Sequence, residues 1–517
     1  MRSVTTGQGI DASESRAALV LAAALMVLTA APAVTAQDDP PAPPRPVATE
    51  IDLGLAFMDF ERTLRAHPLD EADIAPVNRA FDSAAAAFFS RNFGAAVRRI
   101  RELTFARQGA GDPTADELAA ASLRVRLVPD VFVPGGDEQP RLVATSVYAA
   151  EQAAGRTIDF SLVLRRSDEA DQPVRLPFNV TWDERGVASG VSAPLRTLPS
   201  ALPTGDYEMT LAASSRIAVP MGTWTVVDRP LAESRADLER TLDSVNDPSL
   251  ARAVAMARSR ASLLSDESAM SNLNLALIRR ASLRHEVEAD VQAITSGRDP
   301  FRGRVGDWWV TLTLSETTVP CRIYAPAASA ESKPMPLLIA LHGAGGNEHM
   351  FFEAYGGGVI RNLADRHGFI VVSPLTYPFT MRGALAGDLI DAMRGLYEID
   401  DDRVYVVGHS MGAMATAGIA RRIGDRLAGV CLIAGGGMAG PRGGANDGAP
   451  SSPPALIYAA EIDFLMNAAG AQRAAEQARA AGADIEFRLA RDQGHVLVVG
   501  AVLPEAVAWL MERKRQR

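Results

Sequence analysis

Over residues 50–121 the apolar side chains recur every three or four positions. Val77, Phe81, Ala84, Ala85, Phe88 and Phe89 form one run, and Phe93, Val97, Ile100 and Leu103 form the next, beyond a break at Asn92 and Gly94. That spacing lines one face of a helix, so the segment is predicted helical. From 122 to 228 the period falls to two, in Leu123, Val125, Leu127, then Ile158, Phe160, Leu162, then Tyr207, Met209, Leu211, then Trp224 and Val226. Turn formers such as Pro134-Gly135-Gly136 and Thr204-Gly205-Asp206 separate these runs, which predicts about seven short strands. Helical spacing returns over 229–296, along Leu238, Leu242 and Val245 and along Leu273, Leu275, Leu277 and Ile278. This segment is expected to pack with the first helices or to link the β region to the C-terminal region. Over 297–517, short apolar runs at 336–341, 369–373, 403–407, 429–434, 455–460 and 485–489 alternate with helical stretches. Such alternation predicts a mostly parallel sheet with helices on both faces.

The helical run at 50–121 resembles one hairpin of the tetratricopeptide type; a single unit makes no solenoid, because stacked repeats need about three neighbours. The strands of 122–228 suggest an all-β, sandwich-like domain of immunoglobulin-like build, which could bind a polymer or only brace its neighbours. Ahead of these domains, the stretch from Ala17 to Val34 is almost wholly apolar, follows Arg2 and Arg16, and ends in Val34-Thr35-Ala36. It is read as a signal peptide over 1–36, cleaved after Ala36, and so the protein is expected to be exported to the periplasm or beyond. The alternative is a retained anchor, but Thr29 and Pro32 leave the uninterrupted run at 17–28, short of the roughly 20 residues that span a bilayer. No stable membrane insertion is expected after cleavage. Residues 37–49 are Pro-rich and polar and read as a linker.

With 52 basic against 62 acidic residues the chain carries a net charge of −10 and no basic run, so nucleic acid is not an expected partner. Its two cysteines, Cys321 and Cys431, are too few for a disulfide framework; they are read as small buried hydrophobes, with one bridge as the other reading.

The chemistry gathers in the last region. The strand at 404–407 runs into Gly408-His409-Ser410-Met411-Gly412 and then into a helical stretch, which is the G-x-S-x-G pattern in its strand–turn–helix setting. A turn this tight strains the serine backbone, and side chains two residues to either side would strike the neighbouring strand and helix. An earlier strand ends in His342-Gly343-Ala344-Gly345-Gly346, a turn whose amides at Ala344 and Gly345, with that of Met411, are candidates for an oxyanion hole. The strand at 455–460 leads to Glu461 and Asp463, and of seven histidines only His495 follows that acid. The order Ser410, Asp463, His495 suits a relay in which imidazole takes the serine proton and the carboxylate holds the imidazole. For the acid, Glu461, Asp484 and Asp492 remain open beside Asp463. His342 and His409 are read as structural. Tyr377, Phe464 and Met438 are candidate substrate contacts, and the Gly/Pro/Ser-rich stretch at 435–454 is either a rim over the site or a loose connection.

Leu-His-Gly-Ala-Gly-Gly-Asn at 341–347, the run at 399–414, Asp463 and Gly494-His495 together resemble the α/β-hydrolase superfamily from about Val305 to Leu510. Within it they are most similar to the secreted esterases grouped with polyhydroxybutyrate depolymerases and feruloyl esterases. Ala413 and Ala460 stand where that group often has glycine. The resemblance implies a serine hydrolase with no metal and no organic cofactor, acting on a small-molecule or polymeric ester. A prolyl-oligopeptidase-like peptidase is the alternative enzyme, although no blade repeat of a propeller precedes the domain. A non-catalytic surface-binding protein that works through its sandwich is the alternative of another class.

Overall fold

The computed structural model describes residues 45–108, 112–136, 138–167, 172–195, 202–212, 217–268, 273–331, 333–437 and 452–515. Helix α1 (Glu50–Ala66) starts at Thr49, where a capping box closes: the Thr49 hydroxyl accepts from the Asp52 amide and the Asp52 carboxylate accepts from the Thr49 amide. Helices α2 (Glu71–Phe89) and α3 (Phe93–Arg107) are separated by Arg91 in a left-handed conformation (φ 59°) and by Asn92, whose side chain caps α3. A short α4 (Ala115–Ala121) comes next, capped by Thr114.

The next segment is β-rich. Strands β1 (Leu123–Val128), β3 (Arg141–Ser146) and β6 (Val191–Pro194) form an antiparallel three-stranded sheet. A five-stranded mixed sheet has the order β2-β8-β7-β4-β5, built from Val131–Phe132, Ala218–Val226, Gly205–Ala212, Thr157–Arg166 and Val174–Thr181; only its β2–β8 pairing is parallel. Both sheets share one core with the preceding helices, in which Phe60, Phe81, Val97 and Ile100 meet Leu123, Leu142, Leu162 and Trp224. The β region is thus finished by helices, not by strands alone.

Helices α5 (Leu231–Asp243), α6 (Ala251–Ala261), α7 (Leu273–Leu277) and α8 (Arg280–Thr295) precede the large sheet. Leu238, Leu242, Met256 and Val287 share one buried core with the sheet residues Val310 and Leu312. Arg260, fully buried on α6, binds Asp290 of α8 at 3.0 Å and donates to the Trp309 carbonyl at 2.8 Å, which pairs a buried charge with an acid and an acceptor.

The large sheet has the order β16-β15-β14-β13-β11-β12-β10-β9. In chain order these are β9 (Gly306–Leu314), β10 (Thr317–Ala325), β11 (Met335–Leu341), β12 (Ile370–Pro374), β13 (Ile399–His409), β14 (Gly429–Ile433), β15 (Ala455–Ala460) and β16 (Ile485–Ala490). β10 runs against the other strands. Alternate residues serve opposite faces: Leu337, Ile339 and Leu341 enter one core, Leu338 and Ala340 the other, and Val404 and Val406 part from Tyr405 and Val407 in the same way. Helices α11 (Leu385–Leu396), α12 (Met411–Ile423) and α13 (Ala468–Ala480) cover the first face; α9 (Ile360–His367) and α14 (Val498–Met511) cover the second. Cys321 and Cys431 are buried on β10 and β14 and unbridged. Among the described residues no helix is long and apolar enough to cross a membrane.

From β11 the chain passes to β12 on one side and returns through β13 on the other. The carboxyl ends of β11 and β13 therefore flank a switch point, where open parallel sheets leave a crevice for ligands.

Candidate active site

Ser410 stands at that switch point, between the end of β13 and the start of α12. Its backbone has φ 52° and ψ −114°, a strained conformation for a residue with a side chain, of the order of 1–3 kcal/mol. The surroundings enforce it. A Cβ on Gly408 would lie 2.2 Å from the Gly412 carbonyl oxygen, and one on Gly412 would lie 2.1 Å from the Leu341 carbonyl oxygen. The Ser410 amide donates to the Ile433 carbonyl at 2.9 Å.

Ser410 Oγ lies 3.0 Å from His495 Nε2, and His495 Nδ1 lies 2.8 Å from Asp463 Oδ2. A carboxylate only accepts, so Nδ1 carries the proton and Nε2 is left to accept from the serine hydroxyl. Asp463 is itself fixed, because its Oδ1 accepts from the Leu465 and Met466 amides at 2.8 and 2.9 Å. The His495 and Asp463 side chains are both buried. The other acids lie elsewhere. Glu461 accepts from the Asp492 amide at 3.0 Å, and Asp484 precedes β16, at the opposite end of the strand from His495.

Met411 opens α12, and the first amides of a helix have no intrahelical acceptor. The turn after β11 approaches from the other side. There Gly345 (φ 80°) already donates its amide to the Tyr377 hydroxyl at 2.9 Å. Tyr377, on the short helix α10 (Tyr377–Met381), thus braces this turn, and Gly345 is not free as an oxyanion donor. Phe464 lies edge-on to His495 with ring centroids 5.9 Å apart and is 41% exposed. Met438 lies outside the described residues.

Two buried histidines knit the frame. His342 Nε2 accepts from the Thr376 amide at 3.0 Å, so its Nδ1 donates to the Gly343 carbonyl at 2.8 Å; burial pushes its pKa down to about 4. His409 donates from Nε2 to the His495 carbonyl at 2.9 Å, and its Nδ1 accepts from the Tyr355 hydroxyl at 2.8 Å. Burial first, and then the neighbouring His495, push His409 down to about 3. The Tyr355 oxygen also accepts from the Gly343 amide at 3.3 Å, so a neutral relay joins the turn after β11 to the His495 backbone.

The remaining side of the site comes from α2. The Asp82 carboxylate accepts the His495 amide, with both oxygens at 3.0 Å, and Asn78 Oδ1 accepts the Gly494 amide at 2.7 Å. Phe88 reaches the turn after β11: a Cβ on Gly345 would fall 2.3 Å from the end of its ring. Phe88 packs on Phe89 (5.2 Å between centroids), and Phe89 on Phe464 (6.4 Å). The apolar spacing predicts for Phe88 and Phe89 only a place on the apolar face of a helix. Asn78 and Asp82, one turn apart beside the apolar positions Val77 and Phe81, were the available signal, since polar groups beside an apolar stripe need partners.

Residues 338–513 match the model of the alpha/beta hydrolase family. Among solved structures, an S-formylglutathione hydrolase from Staphylococcus aureus is 16% identical with a TM-score of 0.33, covering 40% of this chain and 98% of that one. The S-formylglutathione hydrolase from Agrobacterium tumefaciens is 18% identical with a TM-score of 0.34, over 41% of this chain and 96% of its own. A ferulic acid esterase is 17% identical with a TM-score of 0.32, over 40% and 99%. No curated protein matches the chain. The family match spans β11 to α14, the same stretch that carries the parallel strands, the strained serine and the histidine loop, and the C-terminal domain of this chain belongs to the α/β-hydrolases.

Proposed function

We propose that the protein is an exported serine hydrolase that cleaves carboxylic esters through an acyl-enzyme. The observation that carries this reading is the unbroken relay Ser410 Oγ, His495, Asp463 mounted on a strained serine turn. His495 Nε2 takes the hydroxyl proton as Ser410 Oγ attacks the carbonyl carbon. The carbonyl oxygen becomes an oxyanion, held by the amides of Met411 and Ala344. Collapse expels the alcohol, which leaves with the proton from His495, and the acyl group stays on Ser410. Water then repeats the sequence and releases the acid. Asp463 keeps the proton on Nδ1 and stabilises the imidazolium.

Phe464 beside His495 and Met414, one turn along α12 from Ser410, are exposed apolar side chains and suit an uncharged acyl or alcohol group. The export reading rests on the leader at 1–36, and we read the β region with its sandwich-like pattern as a brace for the helices beside the site. Hydrolysis of a short-chain p-nitrophenyl ester series tests the reading, with labelling by a fluorophosphonate as a second readout. Ser410→Ala and His495→Ala are expected to keep the fold and lower kcat roughly ten-thousandfold or more. A folded wild type that neither turns over esters nor labels at Ser410 would sink the proposal.

A further inference from the structure

We infer that Asp82, on a helix outside the matched hydrolase region, is a positioning residue for His495, so that α2 is a working part of the site. The inference rests on the serine hydrolase reading and extends it to a segment that the family match does not reach.

His495 is held at its backbone from both directions. Its carbonyl accepts from His409, inside the hydrolase, and its amide donates to Asp82, from α2. The preceding amide, of Gly494, is taken by Asn78 one helical turn away. Two residues on, Leu497 is buried in the core of the N-terminal helices and sheets. Gly494 shows how close the approach is: a Cβ there would fall 2.6 Å from Asp82 Oδ2. The glycine of the Gly494-His495 pair is thus explained by α2 and not by the hydrolase strand it follows.

The tolerance at stake is small. A misplacement of about 1 Å at a catalytic group can cost about a hundredfold in rate, and the serine–histidine contact here is 3.0 Å long. A neutral acceptor would satisfy the His495 amide as Asn78 satisfies Gly494, yet position 82 carries a carboxyl group. Burial raises its pKa to about 6, against the pull of the His495 amide and of His495 itself, while Asp463 adds to the rise. The titratable groups that face Asp82 in the described contacts are His495, from the loop after β16, and Asp463, from the loop after β15. Above about pH 6 the group is a carboxylate and does two things: it holds the amide, and its charge favours the imidazolium that forms when Ser410 gives up its proton.

The test is steady-state hydrolysis of a p-nitrophenyl ester, with kcat expressed per site titrated by fluorophosphonate, for the full chain, Asp82→Ala, Asp82→Asn and the inactive reference Ser410→Ala. Asp82→Ala is expected to lower kcat by about 10- to 100-fold with KM within about twofold. Asp82→Asn keeps an acceptor but not the charge; it is expected to recover part of that loss and to move the acid limb of the pH profile toward lower pH. A merely structural Asp82 would change melting temperature and leave both kcat per titrated site and the acid limb where they were, and that result overturns the inference. If Asp82→Ala fails to fold, Asn78→Ala carries the test, since it frees the Gly494 amide and leaves the carboxylate: a fall in kcat of about fivefold or more supports the inference and an unchanged kcat overturns it. Wild-type turnover with unaffected variants defeats the inference alone. A wild type that neither turns over nor labels defeats the hydrolase reading and the inference with it.

Discussion

Ser410 and His495 stand 3.0 Å apart, but different kinds of constraint put them there. Ser410 is set by a glycine pattern in its own stretch of chain, which lets the backbone pass close to itself at Gly408 and close to the Leu341 carbonyl of β11 at Gly412. His495 is set by tertiary contacts, with His409 on one side of its backbone and α2, some 400 residues earlier, on the other. A constraint written into consecutive residues leaves a motif. One made by packing leaves only a polar residue on a helix face. The site is therefore assembled from a part that travels with the α/β-hydrolase fold and a part that belongs to this chain's N-terminal helices.

The sharpest way to break that contrast is to add one methyl group on each side of it. In Gly412→Ala the new Cβ meets the backbone of Leu341, carbonyl oxygen at 2.1 Å and carbon at 2.6 Å, and neither β11 nor α12 can yield without opening the core. This variant is expected to lose folded protein or at least about a thousandfold in activity, read by circular dichroism melting and fluorophosphonate labelling. In Gly494→Ala the obstacle is the Asp82 carboxyl group, which can swing aside. That variant is expected to fold with kcat down about 10- to 100-fold. Equal damage from the two would remove the distinction between backbone-built and packing-built halves.

The same contrast explains what was legible in the sequence. Ser410, Asp463 and His495 could be named because each follows an apolar strand and because only one histidine comes after the acid; the structure brings these three together and leaves Glu461, Asp484 and Asp492 apart. The alternation of strands and helices after residue 297 pointed to a mostly parallel sheet, and the parallel core of that sheet is present, with β10 reversed at one side. A Gly-rich turn with free amides makes Gly345 a candidate oxyanion donor, but a tyrosine from α10 takes that amide. Nothing in a turn's own residues announces a hydroxyl that arrives from another element. The helices at 231–295 could equally have joined the first helices or linked two domains; their apolar stripes do not say which surface they cover, and they lie in the core of the large sheet. Period-two patterning found strands in the β region but not their partners, since alternation fixes a face and not a neighbour.

A second, smaller prediction concerns how firmly the N-terminal helices seat on the hydrolase. Glu61 of α1 is buried against the Gly356-Gly357-Gly358 turn, where its Oε2 accepts from the Gly356 amide at 3.2 Å and its Oε1 has no partner among the described residues. Burial pushes its pKa up to about 8, from an ordinary value near 4.5. The folded state then holds a proton that the unfolded chain releases, so between those two values stability falls as pH rises, and it levels off above about pH 8. One such group can give a slope of at most about 1.4 kcal/mol per pH unit. Glu61→Gln removes the linked proton. It is expected to be more stable than the wild type at pH 8, with the gap closing toward pH 4.5, in urea melts at several pH values. Parallel stability curves for the two proteins would show that Glu61 does not govern the seat.

The smallest effect is expected at Phe88, where α2 touches the hydrolase without a hydrogen bond. Its ring lies against Gly345, in the space a side chain at that position would need, and it begins a row that passes through Phe89 to Phe464 and so reaches His495. Phe88→Ala leaves Asp82 and Asn78 in place, so His495 keeps its hold. What changes is the wall beside the turn after β11. Opening that wall is expected to shift the p-nitrophenyl ester preference toward longer acyl chains by a few-fold in kcat/KM, because each methylene newly accommodated in an apolar pocket contributes roughly 1 kcal/mol or somewhat more. The rate of labelling by a small fluorophosphonate, which needs the serine and histidine but little of the wall, is expected to stay within about twofold of wild type. A large fall in labelling would mean that Phe88 also fixes the turn, and the division of α2 into a polar hold on His495 and an apolar wall for substrate would have to be given up.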